Sequence, residues 1–193
     1  TWGADTRISY DSAGSQHPCL SVFGTTLHVV WYDHRDGNLD IYYNRSTNGG
    51  LSWEIDRSLT NDSADSIFPS ISVSGMNVHV AWFDNRNGND EIYEKNSTDG
   101  GINWSTDIRL TNNLGNSWYP SIALSSSIIH IVWSDDRNGI TNFEIYYKSS
   151  TNGGITWGPD VRLTDYPSYS ENPSITVNGS IVHIVWEESH DGN

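Results

Sequence analysis

Four short runs alternate β-branched apolar residues with histidine and end on tryptophan: LHVVW (27–31), VHVAW (78–82), IHIVW (129–133) and VHIVW (182–186). Gly, Ser and Asn bound each of them. Such runs predict strands, and no stretch holds the 3.6-residue periodicity of a helix. A proline stands 13 residues before each tryptophan, at Pro18, Pro69, Pro120 and Pro173, and opens a second strand. Strand A is the Pro-led strand and strand B the Trp-ending one. After B come the polar loops DHRDG (33–37), DNRNG (84–88) and DDRNG (135–139). Strand C follows as DIYYNRS, EIYEKNS and EIYYKSS. Strand D carries RSLT, IRLT and VRLT.

Between C and D lie three octets in register: STNGGLSW (46–53), STDGGINW (97–104) and STNGGITW (150–157), spaced 51 and 53 residues apart. A fixed period of this size marks a repeat architecture. The octet chemistry is that of a turn. Paired glycines tolerate positive φ without a Cβ clash. The Asn or Asp side chain accepts from backbone N–H groups further on, and the Ser hydroxyl does the same. Tryptophan then anchors the turn on apolar surface.

The pattern Ser-x-Asp/Asn-x-Gly-x-x-Trp resembles the Asp box, or bacterial neuraminidase repeat, of sialidase-like β-propellers. Ser46, Asn48, Gly50 and Trp53 match it, as do Ser97, Asp99, Gly101 and Trp104, and Ser150, Asn152, Gly154 and Trp157. Kelch propellers have a similar period, but their glycine doublet sits in a different context. The expected fold is all-β: a β-propeller of four-stranded antiparallel blades arranged radially. Residues 1–17 supply strand D of a partial blade. Whole blades span 18–68, 69–119 and 120–172, and 173–193 supply strands A and B of another partial blade. Thr1-Trp2 aligns with Thr156-Trp157, and Asn193 with Asn38. This phase leaves a broken blade at each end, so the expectation is a homo-oligomer closing a ring or part of a longer propeller chain. The one length change is two residues inserted after Gly139.

Composition narrows the partners. The formal charge of −14 argues against nucleic acid, which needs clustered Lys and Arg. No apolar run approaches the ~20 residues that span a bilayer, so no membrane insertion is expected. The single cysteine, Cys19, stands where other repeats have Ser70, Ser121 and Ser174, and reads as a buried, inert thiol. Extracellular or cell-surface placement follows from the resemblance.

An antiparallel meander sends its loops alternately to two faces. A–B turns and octets share one face; B–C loops and D–A connections share the other, which carries the ligand in the family resembled. Here the B–C loops hold Asp33 with Arg35, Asp84 with Arg86 and Asp135 with Arg137, degraded to Glu188 and His190 in the last copy. The D–A connections hold Tyr10, Phe68, Trp118, Tyr119, Tyr166 and Tyr169. Arg forks with exposed aromatics can bind a sugar or a carboxylate. The competing reading is scaffold, since these pairs recur at one place in every blade. Calcium on Asp33, Asp36 and Asp40, or on Asp84, Asp90 and Glu91, is a third reading, without an EF-hand spacing. His28, His79, His130 and His183 read as packed between blades, and Arg7, Arg109 and Arg162 as solvated on the outer strand.

Sialidases resembling this fold need an arginine cluster, a Tyr–Glu nucleophile pair and an Asp acid/base, and usually an early Arg-Ile-Pro, which is absent. No carboxylate pair stands out at glycosidase spacing, so no catalytic residue is assigned. The expected function is a non-catalytic binding or scaffold module recognising glycans, without a cofactor. The alternative is a segment of a sialidase-like glycoside hydrolase whose catalytic residues lie partly outside this chain; a purely structural module is the third.

Overall fold

The computed structural model describes residues 3–139 and 142–189. Three antiparallel sheets of four strands follow one another. The first holds β1 (Gln16–Phe23), β2 (Thr26–Asp33), β3 (Asp40–Ser46) and β4 (Arg57–Ser58). The second holds β5 (Ser66–Ser74), β6 (Asn77–Asp84), β7 (Glu91–Ser97) and β8 (Ile108–Arg109). The third holds β9 (Ser117–Ser125), β10 (Ile128–Asp135), β11 (Glu144–Ser150) and β12 (Val161–Arg162). A two-stranded sheet of β13 (Ser170–Asn178) and β14 (Ile181–Glu188) ends the series. No helix occurs among the described residues.

The first strands of successive sheets lie side by side, β1 on β5, β5 on β9 and β9 on β13. Serine hydroxyls bridge them: Ile122 N–H donates to Ser70 Oγ (3.2 Å), Leu124 N–H to Ser72 Oγ (3.1 Å) and Ile175 N–H to Ser121 Oγ (3.1 Å). Sheets arranged radially about their first strands make a β-propeller.

The core lies in the seams between sheets. Val30, Ile41 and Tyr43 of the first meet Val80, Trp82 and Tyr93 of the second. Ala81, Phe83 and Ile92 of the second meet Ile131, Trp133 and Tyr146 of the third. Burying one such aromatic stabilises by roughly 4–6 kcal/mol as an upper estimate. Three of the four strand-B histidines point into these seams, and the fourth, expected there too, does not. His28 Nδ1 lies 2.7 Å from the Tyr43 hydroxyl, and His130 Nδ1 2.7 Å from that of Tyr147. His79 Nδ1 lies 2.6 Å from Glu94 Oε1. His183, on the last sheet, is exposed.

The octets turn C into D as their chemistry requires. The N–H groups of Gly50, Gly101 and Gly154 each donate to the Ser hydroxyl four residues earlier, all at 2.9 Å. Asn48 and Asn152 Oδ1 accept from the N–H four residues on, at 2.9 Å each, and Asp99 Oδ1 does so at 2.8 Å. Gly101 has φ 85°, and a Cβ there would sit 2.0 Å from the Tyr43 hydroxyl. The neighbouring blade thus requires that glycine.

Several expectations change. Strand A begins before its proline, because each first strand carries a β-bulge there. Strand D shortens to two residues in each sheet. Residues 3–15, expected as the first strand D, form no strand; among the described residues no strand C lies beside them to pair with. Ile8 nonetheless packs on Trp31 and Tyr42, as Leu59 packs on the second sheet. Arg109 and Arg162 are not simply solvated: they pair with Glu91 (2.7 Å) and Glu144 (2.5 Å), both fully buried. The Gly139 insertion, Thr1, Trp2, His190 and Asn193 fall partly or wholly outside the described residues.

Candidate functional site

Each first strand enters the sheet through the same distortion. The residue before the proline takes positive φ: His17 47°, Phe68 53°, Tyr119 53° and Asn172 51°. Left-handed backbone at a bulky residue costs on the order of 1–2 kcal/mol. The distortion sits in the bulge, where strand pairing shifts by a residue. Its result is that four pre-proline side chains gather at the axis. With Pro18, Pro69, Pro120 and Pro173, and Cys19, Ser70, Ser121 and Ser174, they line an open pocket of about 400 Å³. That volume falls within the usual range for small-ligand sites. The pocket lies at the start of the A strands, on the face of the D–A connections.

Aromatic rings form an arc around it. His17 and Phe68 have centroids 4.1 Å apart, and Phe68 and Tyr119 4.8 Å. Strand-B rings wedge behind them: Tyr32 contacts His17 (5.4 Å) and Phe68 (5.8 Å), and Phe83 contacts Phe68 (5.6 Å) and Tyr119 (5.9 Å). Burial, and then Tyr119, push the Tyr32 phenol above its ordinary value, so it stays a neutral donor. No Arg, Lys, Asp or Glu lines this pocket among the described residues.

The B–C arginines lie elsewhere and are fully engaged. Arg35 forks onto Asp33, Nε to Oδ1 at 3.0 Å and Nη2 to Oδ2 at 2.6 Å, while Nη1 reaches Asp56 at 3.1 Å. Its guanidinium lies 4.0 Å from the Tyr42 ring centroid. Arg86 repeats this with Asp84 (2.5 Å), Asp107 (2.7 Å) and the Tyr93 ring (4.4 Å), and adds Asp62 at 2.8 Å. Arg137 repeats it with Asp135 (2.6 Å), Asp160 (2.7 Å) and the Tyr146 ring (4.2 Å). The three forked carboxylates are fully buried. Trp31, Trp82 and Trp133 Nε1 donate to them at 2.8–3.0 Å. Burial alone would raise the Asp33 and Asp135 carboxyls, but the Arg and Trp bonds outweigh it and hold them below the usual range.

The carboxylates weighed for calcium also have separate partners. Asp36 accepts from the Tyr42 hydroxyl, Asp40 from Thr60 at 2.7 Å and Asp90 from Trp118 Nε1 at 2.6 Å. Among the described residues no three His, Cys, Asp or Glu side chains converge as a metal site.

Of the aromatics expected on this face, Tyr119 lines the axial pocket and Trp118 flanks it. Tyr166 is largely exposed on its D–A connection and lines neither. His17 and Asn172 were missed. Their signal was present: the position before each proline reads His, Phe, Tyr and Asn within an otherwise repeating frame.

No family model matches the chain, and no curated protein matches it in sequence. Solved structures do match. The GH93 α-L-arabinofuranosidase of Fusarium graminearum, complexed with arabinobiose, gives a TM-score of 0.70 at 15 % identity over 93 % of this chain and 58 % of that one. The α-L-arabinanase of Penicillium chrysogenum, also with arabinobiose, gives 0.68 at 15 % identity over 90 % and 57 %. A Trypanosoma rangeli sialidase mutant displaying trans-sialidase activity gives 0.64 at 12 % identity over 90 % and 34 %. The chain thus spans a little over half the length of the first two and about a third of the last. At such identity the likeness is one of fold.

Proposed function

We propose that this chain is a carbohydrate-binding module on a sialidase-like propeller, with its ligand seated over the axial pocket and with no catalytic role. The observation that carries this reading is the arc of His17, Phe68 and Tyr119 around a pocket of about 400 Å³, held in place by four strained backbone positions. Aromatic faces stack on the C–H faces of sugars, and Asn172 and the serines offer hydrogen bonds around them. The axial lining holds no acid/base pair, which favours binding over hydrolysis. That solved neighbours carry arabinobiose supports the ligand class. In this reading the octets are Asp boxes that hold the opposite face, and the module works outside the cell.

The apolar surface at either end of the series is read as a seat for further blades, from a second copy or from a longer chain. Leu20, Val22 and Phe23 are half exposed at one end, and Val185 and Trp186 at the other. Trp186 is 40 % exposed where Trp82 and Trp133 are at 0 %.

A glycan array run beside an assay with aryl glycosides tests the function. Binding without turnover is the expected result. Turnover would favour the alternative of a hydrolase segment, and binding to no glycan would remove the reading.

A further inference from the structure

The aromatic arc has a gap, and the gap has a single cause in the sequence. The residue after the strand-B tryptophan is Tyr32 in the first sheet and Phe83 in the second. Each ring fills the wedge between the pre-proline side chain of its own sheet and that of the next. In the third sheet the same position is Ser134. Its wedge lies between Tyr119 and Asn172, and a hydroxymethyl group cannot fill it.

A cleft of about 170 Å³ results, lined by Trp118, Tyr119, Ser134, Phe143 and Glu171. It is too small for a whole ligand site and sized for one unit of a larger ligand. Tyr119 is common to this cleft and the axial pocket. Ser134 is buried, and its hydroxyl has no hydrogen-bond partner among the described residues. A buried hydroxyl left unpaired is uncommon in folded proteins.

The walls are rigid and of two kinds. Trp118 is fixed by its bond to Asp90 at 2.6 Å, and meets Phe143 edge-on at 5.2 Å. Phe143 is backed in turn by Tyr169 at 5.0 Å. Glu171 completes the lining, with no Arg or Lys beside it. An anionic sugar would meet a carboxylate without a compensating cation. A neutral ring can lay its C–H face on the aromatics and donate a hydroxyl to Glu171.

We infer that Ser134 opens a specificity subsite in which a neutral, hydroxylated sugar ring occupies the cleft next to the unit bound at the axis. This rests on the axial pocket being a glycan site. Ser134 acts by the space it leaves.

Calorimetric titration of the whole chain with arabinobiose, cellobiose, lactose and sialyllactose tests it. Ser134→Phe restores the ring found at Phe83, and Ser134→Ala keeps the space while removing the hydroxyl. At least one neutral disaccharide should bind the native chain. Ser134→Phe should weaken that sugar by roughly tenfold or more, with a melting temperature equal or raised because a cavity is filled. Ser134→Ala should keep the affinity. Unchanged affinity in Ser134→Phe, or a preference for sialyllactose, would overturn the subsite while leaving the axial site standing. Binding of none of the four sugars by the native chain would overturn both.

Discussion

The two faces of the propeller are built on opposite rules. On the octet face, backbone and side chains repeat together. Three Ser hydroxyls accept three glycine N–H groups at one distance, 2.9 Å. On the axial face the backbone repeats and the side chains do not. Four bulges hold φ between 47° and 53°, yet present His, Phe, Tyr and Asn. Where both repeat, the fold selects the residue. Where only the backbone repeats, the fold has fixed a position and something else selects its occupant. The Asp–Arg forks, although they lie on B–C loops, obey the first rule. On the function proposed above, repetition, and not the face alone, separates scaffold from site.

The largest test of that division falls on the forks. Arg86→Ala leaves the fully buried Asp84 carboxylate without its cation. Breaking a buried pair by removing one partner costs about 3–5 kcal/mol. Urea denaturation should show a loss of this order, while glycan affinity of the folded fraction stays unchanged. Retained stability with lost affinity would move these arginines into the site.

Acid should unpick the seams next. Burial, with Arg45 adding to it, lowers the His28 pKa to about 4 against a slight opposing effect of Glu54. His130 is lowered by burial too. A histidine held neutral in the folded state contributes stability above its ordinary pKa of 6.5, and that contribution is lost as pH falls towards 4. For His28 the loss is on the order of 3 kcal/mol. The urea midpoint should therefore fall between pH 6.5 and 4, and His28→Gln should flatten the dependence.

The octets come third. Ser97→Ala removes the acceptor of the Gly101 N–H in a buried turn and should cost about 1–2 kcal/mol. Asp99→Ala should lower the melting temperature, while Asp99→Asn should not, because Asn48 and Asn152 make the same Oδ1 bonds. Backbone and side-chain donors of Asn103 hold the Asp99 carboxyl down at about 2, so this turn keeps its charge across ordinary pH. None of these three substitutions should alter glycan affinity.

Much of the scaffold was legible because its signals are local. The Pro-to-Trp spacing gave the A and B strands, and the glycine pairs gave the turns, each through a single residue's backbone preference. The bulge was not legible. Proline at Pro69 announces a strand start, but the left-handed φ of Phe68 arises only when the ladder to β6 forms around it. The fate of the arginines was equally hidden. Arg35 meets Asp56 across 21 residues and lies over the Tyr42 ring of β3, contacts that no spacing rule supplies. The gap at Ser134 was visible as a broken repeat, but became a cleft only when Tyr119 and Phe143 were placed around it.

The smallest effect on stability should accompany a large effect on binding. His17 is exposed, its ring lies tilted against Phe68 at 4.1 Å and stacked on Tyr32 at 5.4 Å, and that ring makes no hydrogen bond among those of the described residues. An exposed ring of this kind contributes within about 0.5 kcal/mol to folding. The same ring is one wall of the axial pocket, and a wall that closes over a sugar face loses its contacts outright when truncated. His17→Ala also relieves a bulky left-handed residue only in part, since alanine still carries a Cβ, so no large gain in stability offsets the change. Melting temperature should stay close to that of the native chain, while affinity for any sugar found on the array falls by roughly tenfold, about 1.4 kcal/mol. Equal affinity would place the ligand away from the axis. A large drop in melting temperature would show that the pre-proline side chains, and not only their backbone, belong to the scaffold.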